Sequence, residues 1–527
     1  MKRSFLSVIL CTLLNLAFAQ ADHAKKYAAV ISGDSLKKQL TIIAGDEMEG
    51  RETGTEGQRK AAAYIEAQFR AIGLKAPAAL NGYQRLYPLY KSSMKTSVVK
   101  LDNKELIYGT DYYVPVIYNT DQTITADKFV FAGYGISDSL YDDYKNLDVK
   151  GKVVVIFLGE PKSAGKYLVT GNDKYSKYTR PGIVTKTKIA REKGAVAVLI
   201  INPTTEFINS TTASSNSKSD VSYPNKSTTE GLNYMVISHK VAKDFFARWS
   251  MDSVISTAKS YLPFSAKSLA EINIPYSFTY EKEKVEIKAS NVIGIIEGTD
   301  KKDEYVFLTA HYDHLGIRNG KIYYGADDDG SGTCAVINMA QAFAKAKAAG
   351  KGPRRTIVFM TVSGEEKGLW GSKYYSDNPV FPLDKTSVDL NTDMVGRIDT
   401  ERTTADSLNY VYVIGHDKLS SELPVINEGA NKKYTNLVLD YKYDDPNDKQ
   451  RIYYRSDHYN FARKGVPILF FYDGMLKADY HKPTDTIEKI NWELYEKRVR
   501  MIFYTAWEMA NRKDMLKRDV PLPSEDE

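Results

Sequence analysis

Five clusters of acids and histidines in the carboxyl-terminal half of this 527-residue sequence carry side chains suited to holding metal ions and moving protons. His311-Tyr312-Asp313-His314 places a carboxylate two residues after an imidazole, where it can accept a hydrogen bond from the ring's other nitrogen and fix the tautomer. In Gly325-Ala326-Asp327-Asp328-Asp329-Gly330-Ser331-Gly332, three adjacent acids repel one another unless a cation compensates them. A helix N-terminus, the plainer explanation, needs only one acid. Ser363-Gly364-Glu365-Glu366 offers one acid to bind a metal and another to activate a water, although Glu-Glu pairs are common on solvated surfaces. Asp393 follows a hydrophobic run directly, and His481 sits in Asp479-Tyr480-His481-Lys482-Pro483-Thr484-Asp485. A lone histidine is usually structural. Five of the seven histidines (His311, His314, His416, His458 and His481) lie in this region, each within two residues of an acid.

The elements that must position these groups read as strands alternating with helices. Strands are expected over 305–310, 356–362, 387–392 and 466–472. Helices are expected over 331–348, 368–375, 456–463 and 491–511. That alternation predicts an α/β three-layer domain with a mixed, largely parallel sheet. In such sheets ligands bind beyond the carboxyl ends of the strands, and His311, Glu366, Asp393 and His481 all fall at those ends or in the loops after them. Two histidines and three carboxylates suit two Zn²⁺ ions per subunit, bridged by one carboxylate and a water and about 3.5–4 Å apart. Such ions lower the pKa of bound water and polarise a scissile carbonyl.

Elsewhere the chain has a different texture. A helical stretch over 35–72 is interrupted by the glycine-rich segment 45–57, read first as a turn between two helices. Residues 99–283 form a β-rich insertion with strands near 128–133, 152–158, 195–201 and 234–238, a helix over 185–193 and a polar loop over 209–226. The expected organisation is therefore a signal peptide (1–19), the first part of the catalytic domain (20–98), the insertion (99–283), the main part (284–515) and a polar tail (516–527). Lys2 and Arg3, an apolar run and Ala17-Phe18-Ala19 form a signal peptide, which predicts export to the periplasm or the medium. The run falls short of the roughly 20 apolar residues of a membrane span. Leu10 before Cys11 argues against lipid attachment, and removal of the signal leaves Cys334 alone, so no internal disulfide is expected. The formal charge of +6 is spread without a long basic run, which gives no ground for a nucleic-acid partner. Asn209 and Asn225 fit short glycosylation patterns that mostly occur by chance.

The motifs AHYDHLG, GADDDGSG, SGEEKGLWGS, NTDMVGR and DYHKPTDT, in this order over the last 230 or so residues, resemble the M28 family of zinc aminopeptidases. That family also holds carboxypeptidases and glutaminyl cyclases. The segment GDEMEGRETGTEGQRKAAAYIEAQF resembles the family's N-terminal part, which implies a place for 45–57 near the cleft. The insertion resembles a protease-associated (PA) domain. The resemblance implies that His311 and Asp393 ligate one zinc and that Glu366 and His481 ligate the other. It makes Asp328 the bridge, with a cis bond to Asp329. Glu365 becomes the general base, Tyr480 the oxyanion donor and Asp313 the partner of His311. With that ligand set full, His314 is expected outside it. His416 is read as a loop residue, and Asp485 and Ser456-Asp457-His458 as structural or supporting. No G-x-S-x-G elbow accompanies Asp457-His458, and Ser331 opens a helix.

The expected activity is a secreted di-zinc exopeptidase that releases N-terminal residues from peptides. The competing readings are a carboxypeptidase, which needs a cationic clamp such as Arg397 or Arg455, a glutaminyl cyclase using one zinc, and an inactive binding scaffold. A scaffold of that kind loses ligands, and none is lost here.

Overall fold

The computed structural model describes residues 23–224, 231–264, 269 and 271–522, so the expected signal peptide, Asn225 and the last five residues lie outside the described part. The chain forms two compact units, Met1–Tyr87 with Lys288–Glu527, and Pro88–Ile287. No described helix is long and apolar enough to cross a membrane.

In the larger unit the sheet runs Val438–Asp440, Tyr410–Ile414, Ile468–Tyr472, Thr386–Thr392, Lys301–His311, Arg355–Val362, and then residues 292–296 of the strand Ile272–Ile296. The central four strands are parallel. Their sequences, such as RTIVFMTV and TSVDLNT, are buried along their whole length, as expected of parallel strands covered on both faces. The register pairs Leu308 with both Phe359 and Leu390, and His311 with Val362. His311 and the Ser363-to-Glu366 turn are thereby brought to one edge.

Helices Gly33–Ile43, Glu56–Ile72, Gly332–Ala348 and Trp492–Asn511 pack together, and Trp370–Asp377 packs with His458–Ala462. Both N-terminal helices begin on hydroxyl caps, Ser32 and Thr55, which accept from the amides of Ser35 and Gln58. Asn491 caps Trp492–Asn511 in the same way, through the Leu494 amide. The mixed, largely parallel α/β architecture matches the sequence expectation. The strands Tyr410–Ile414 and Val438–Asp440 and the helix Leu423–Tyr434 were not anticipated.

In the smaller unit, residues 272–280 of Ile272–Ile296 pair antiparallel with Gln122–Phe131. Val153–Phe157, Ala197–Ile201 and Tyr234–Ile237 follow in parallel, and Tyr112–Tyr113 closes the edge antiparallel. Helices Ile183–Glu192, His239–Phe245 and Met251–Lys259 belong to this unit. The polar segment expected as loop contains a helix, Ser210–Asn216, started by Asn209, whose Oδ1 accepts from the Thr212 amide at 2.8 Å. Its run of Ser and Thr reads as loop because those side chains compete for backbone groups; an N-cap turns that same tendency toward helix initiation.

Candidate metal centre

The acid-rich turn after Gly325 separates its three carboxylates by function. Asp327 Oδ1 accepts from the Gly396 amide at 2.8 Å. Asp329 Oδ1 caps the following helix through the Gly332 amide at 2.8 Å and also accepts from Met394 at 3.0 Å. The amide of Asp328 is fixed by Asp485 Oδ2 at 3.1 Å, and the Asp328–Asp329 peptide is cis, as the resemblance implied. Gly325 has φ +54°, and a Cβ there would sit 2.2 Å from the Asp328 carbonyl and 2.5 Å from the His314 ring. Only glycine lets the turn close so tightly. The Asp328 carboxylate alone is left aimed at the histidines.

Around it the sequence-selected residues converge in two groups. His311 Nε2 lies 3.3 Å from Asp328 Oδ1, 3.5 Å from Asp393 Oδ1 and 3.9 Å from Glu365 Oε2. His481 Nε2 lies 3.2 Å from Asp328 Oδ2 and 3.0 Å from Glu366 Oε2. Asp328 thus presents one oxygen to each group. His314, expected outside the ligand set, comes to the second group, with its Nδ1 2.8 Å from Glu366 Oε1 and 3.8 Å from Asp328 Oδ2.

Do these residues fit cations? Buried atoms without a hydrogen-bond partner in the described residues include His311 Nε2, both ring nitrogens of His314, Asp328 Oδ2 and Glu366 Oε1. Native interiors seldom leave so many polar atoms unpaired in one place. Burial, with Glu366 and Asp393 nearby, pushes the Glu365 carboxyl well above its ordinary range. Burial disfavours a charged His311, yet Asp393 and Glu365 hold its pKa well above the usual value. His481 is likewise raised to about 10, against burial, by Asp328 and Glu366. Left to themselves these acids keep protons on their histidines; divalent cations would take the protons' place. The donor set is nitrogen and oxygen throughout, as zinc accepts.

Surrounding groups hold the donors still. Ser456, read from the sequence as structural or supporting, donates from Oγ to Asp393 Oδ2 at 2.6 Å. The Asp313 carboxylate accepts from Thr53 Oγ1 at 2.7 Å and from the Glu365 amide at 3.2 Å. His311 Nδ1 is 3.1 Å from the Asp313 carbonyl and 3.7 Å from its carboxylate, so the backbone oxygen makes the shorter contact. The glycine-rich segment is more than a turn. Arg51 donates to the carbonyls of Ile43, Tyr312, Tyr324 and Gly325, and Thr53 also receives the Gly364 amide. Tyr480 stacks on His481 with ring centroids 3.8 Å apart. It lines one cleft with Asp328, Glu365, Asp393 and Arg455.

The other candidates have structural partners. Arg397 is held by Asp479 at 2.9 Å and Asp485 at 3.7 Å, so its charge is spent inside the protein. His416 is bonded to Asp444 and stacked on Tyr441. Lys418 already supplies a cation to that acid at 2.5 Å, so the cluster needs no metal. His458 stacks on Phe470 and bonds the Tyr453 carbonyl, while Asp457 accepts from Ser372.

Residues 291–506 match the family model of peptidase family M28, and residues 113–236 match that of the PA domain. A probable glutamate carboxypeptidase of Zea mays is 28% identical over 372 residues, 64% of this chain and 47% of the relative. Aminopeptidase YwaD of Bacillus subtilis is 26% identical over 234 residues, 43% of this chain and 46% of the relative. The chain spans about half the length of these curated relatives. An aminopeptidase structure from Aneurinibacillus sp. strain AM-1 aligns over 95% of this chain and 100% of its own, with TM-score 0.51 and 18% identity, a likeness of fold.

Proposed function

We propose that this chain, a member of peptidase family M28 that carries a PA domain, is an exported exopeptidase that removes N-terminal residues from peptides with two zinc ions. The observation that carries the reading is the Asp328 carboxylate, with one oxygen facing His311 and the other facing His481. His311, Asp393 and Asp328 would hold one ion, and Glu366, His481 and Asp328 the other. Zinc so held supplies an acidified water and a polarised carbonyl.

The protein's own groups supply the rest. Glu365, 3.9 Å from His311 Nε2 and grouped with His311 and Asp393, would serve as the base, accepting the proton of the attacking water and delivering it to the departing amine. Its backbone is anchored by Asp313. Tyr480 would donate a hydrogen bond from its hydroxyl to the oxyanion that forms as the carbonyl is attacked. Support for cleavage from the amino end comes from the likeness to aminopeptidase YwaD of Bacillus subtilis, while the Zea mays relative carries the name of a carboxypeptidase. Residues 1–19 support export.

The test is chelation and zinc re-addition on the purified chain, with matched free and N-acetylated peptides as substrates. Activity should vanish and return with zinc, on the free peptide only. Equal hydrolysis of both would refute cleavage from the amino end. Glu365→Gln should retain zinc while losing at least about a hundredfold in kcat. Loss of the metal instead would mean that Glu365 and Glu366 have exchanged roles.

A further inference from the structure

The arginines packed inside the larger unit are committed to it. Arg51 satisfies four carbonyls, Arg397 pairs with Asp479, and Arg402 pairs with Asp406 and Asp440. Arg498 donates to the carbonyls of Tyr410, Val395 and Arg397. Arg455 differs. Its side chain reaches solvent, makes no ion pair among the described residues, and finds the Tyr480 hydroxyl at 3.2 Å from Nη2. It opens onto the same cleft as Asp328, Glu365 and Asp393.

A second unused donor lies beside it. Tyr472 lines that cleft, is 3% exposed, and its buried hydroxyl has no hydrogen-bond partner. The Arg455 guanidinium lies 5.9 Å from the centre of the Tyr480 ring, and Tyr472 lines the same cleft. Much of the remaining wall is apolar, from Met394, Ile452, Phe470 and Leu476. A fixed cation and a spare hydroxyl on an apolar wall are complementary to an anionic oxygen pair. The planar guanidinium fork matches a carboxylate better than any other peptide group. Because Arg455 donates to the Tyr480 oxygen, the phenol's own proton stays free to be donated elsewhere.

We infer that Arg455 is a specificity-determining residue whose guanidinium, with the Tyr472 hydroxyl beside it, receives a carboxylate carried by the peptide close to the scissile bond. This rests on the peptidase reading above. The carboxylate has two sources, the C-terminus of a dipeptide or an acidic side chain next to the cleaved bond, and the chemistry of recognition is the same.

Binding and turnover test it separately. In the zinc-loaded Glu365→Gln background, Kd is measured by calorimetry for Leu-Gly against Leu-Gly-amide, and for Leu-Asp-amide against Leu-Asn-amide. The carboxylate member of at least one pair should bind about tenfold or more tighter; the first pair reports a C-terminus and the second a side chain. Adding Arg455→Gln should bring that pair to within about twofold, and Arg455→Lys should restore part of the gap. In the otherwise wild-type enzyme, Arg455→Gln should lower kcat/KM more for the carboxylate member than for its neutral counterpart. Tyr480→Phe should lower both by the same factor. No discrimination in either pair would overturn the proposal, as would an Arg455→Gln loss that leaves the ratio intact, since the arginine would then act only through Tyr480. If the zinc-loaded enzyme cleaves no peptide at all, the peptidase reading fails, and the calorimetric comparison still decides the role of Arg455.

Discussion

Asp327, Asp328 and Asp329 are chemically identical neighbours with three separate tasks: pinning the Gly396 loop, facing both histidine groups, and capping a helix. The sequence announces that such a run needs compensation, since bare adjacent carboxylates repel. It does not say which acid does what, because the division depends on distant groups: the Gly396 and Met394 amides that Asp327 and Asp329 receive, and the histidines that Asp328 faces. The five proposed ligands were legible for a related reason. Metal chemistry needs particular side-chain types, and hydrophobic runs marked where strands end. His314 was not legible as a neighbour of Glu366, and Ser456, legible as a supporting residue, gave no sign of which group it holds, because a histidine or serine becomes a partner of Glu366 or Asp393 only through tertiary placement. Ser456→Ala should therefore weaken zinc binding about tenfold or more by freeing Asp393 to rotate, read as zinc affinity in a competition titration with a chelator. Unchanged affinity would show that Asp393 is held without it.

Among the elements, the central strands declared themselves as apolar runs, while Tyr410–Ile414 and Val438–Asp440 stayed hidden. The second is three residues long and partly exposed, and the first, YVYVI, is as short as Ile468–Tyr472 but carries two tyrosines and lies between polar loops. The glycine-rich segment 45–57 was legible as a turn but not as a brace. Its Arg51 is fully buried, and one guanidinium joins the end of a helix to the backbone around His311 and Gly325. Arg51→Met keeps volume but removes the guanidinium from the carbonyls of Ile43, Tyr312 and Tyr324, and leaves Gly325 only the Gly330 amide. We expect a loss of more than about 3 kcal/mol in unfolding free energy and a fall in zinc retention, measured by denaturant unfolding with and without chelator. A variant as stable as the parent would mean that water replaces the guanidinium.

For the molecule as a whole, the two units differ in what charge does inside them. In the smaller one Lys186 is buried, donates to the carbonyls of Phe157 and Gly159, and has its pKa lowered to about 7 by burial, against the pull of Asp143 and Glu160. Between about 7 and the unfolded value near 10.4, the unfolded chain holds a proton that the folded unit has shed. The stability of the smaller unit therefore rises with pH across that window and, for this group, is level below it. Comparing full-length parent and Lys186→Met by thermal unfolding at pH 6.5 and pH 9 isolates the effect. The parent should gain relative to the variant as pH rises, and parallel curves would exclude it.

The residues Pro88–Ile287 separate Arg51 from the carbonyls it satisfies around His311 and Gly325. That interposition sets a timetable. At about 5–20 residues per second of synthesis, the N-terminal helices wait on the order of 10–40 s for the strands they pack against. During that interval a guanidinium and a set of apolar helix faces have no permanent partner, while the smaller unit is already complete in sequence and free to fold. The larger unit thus becomes complete in sequence only after the smaller one, with its two parts drawn from both ends of the chain.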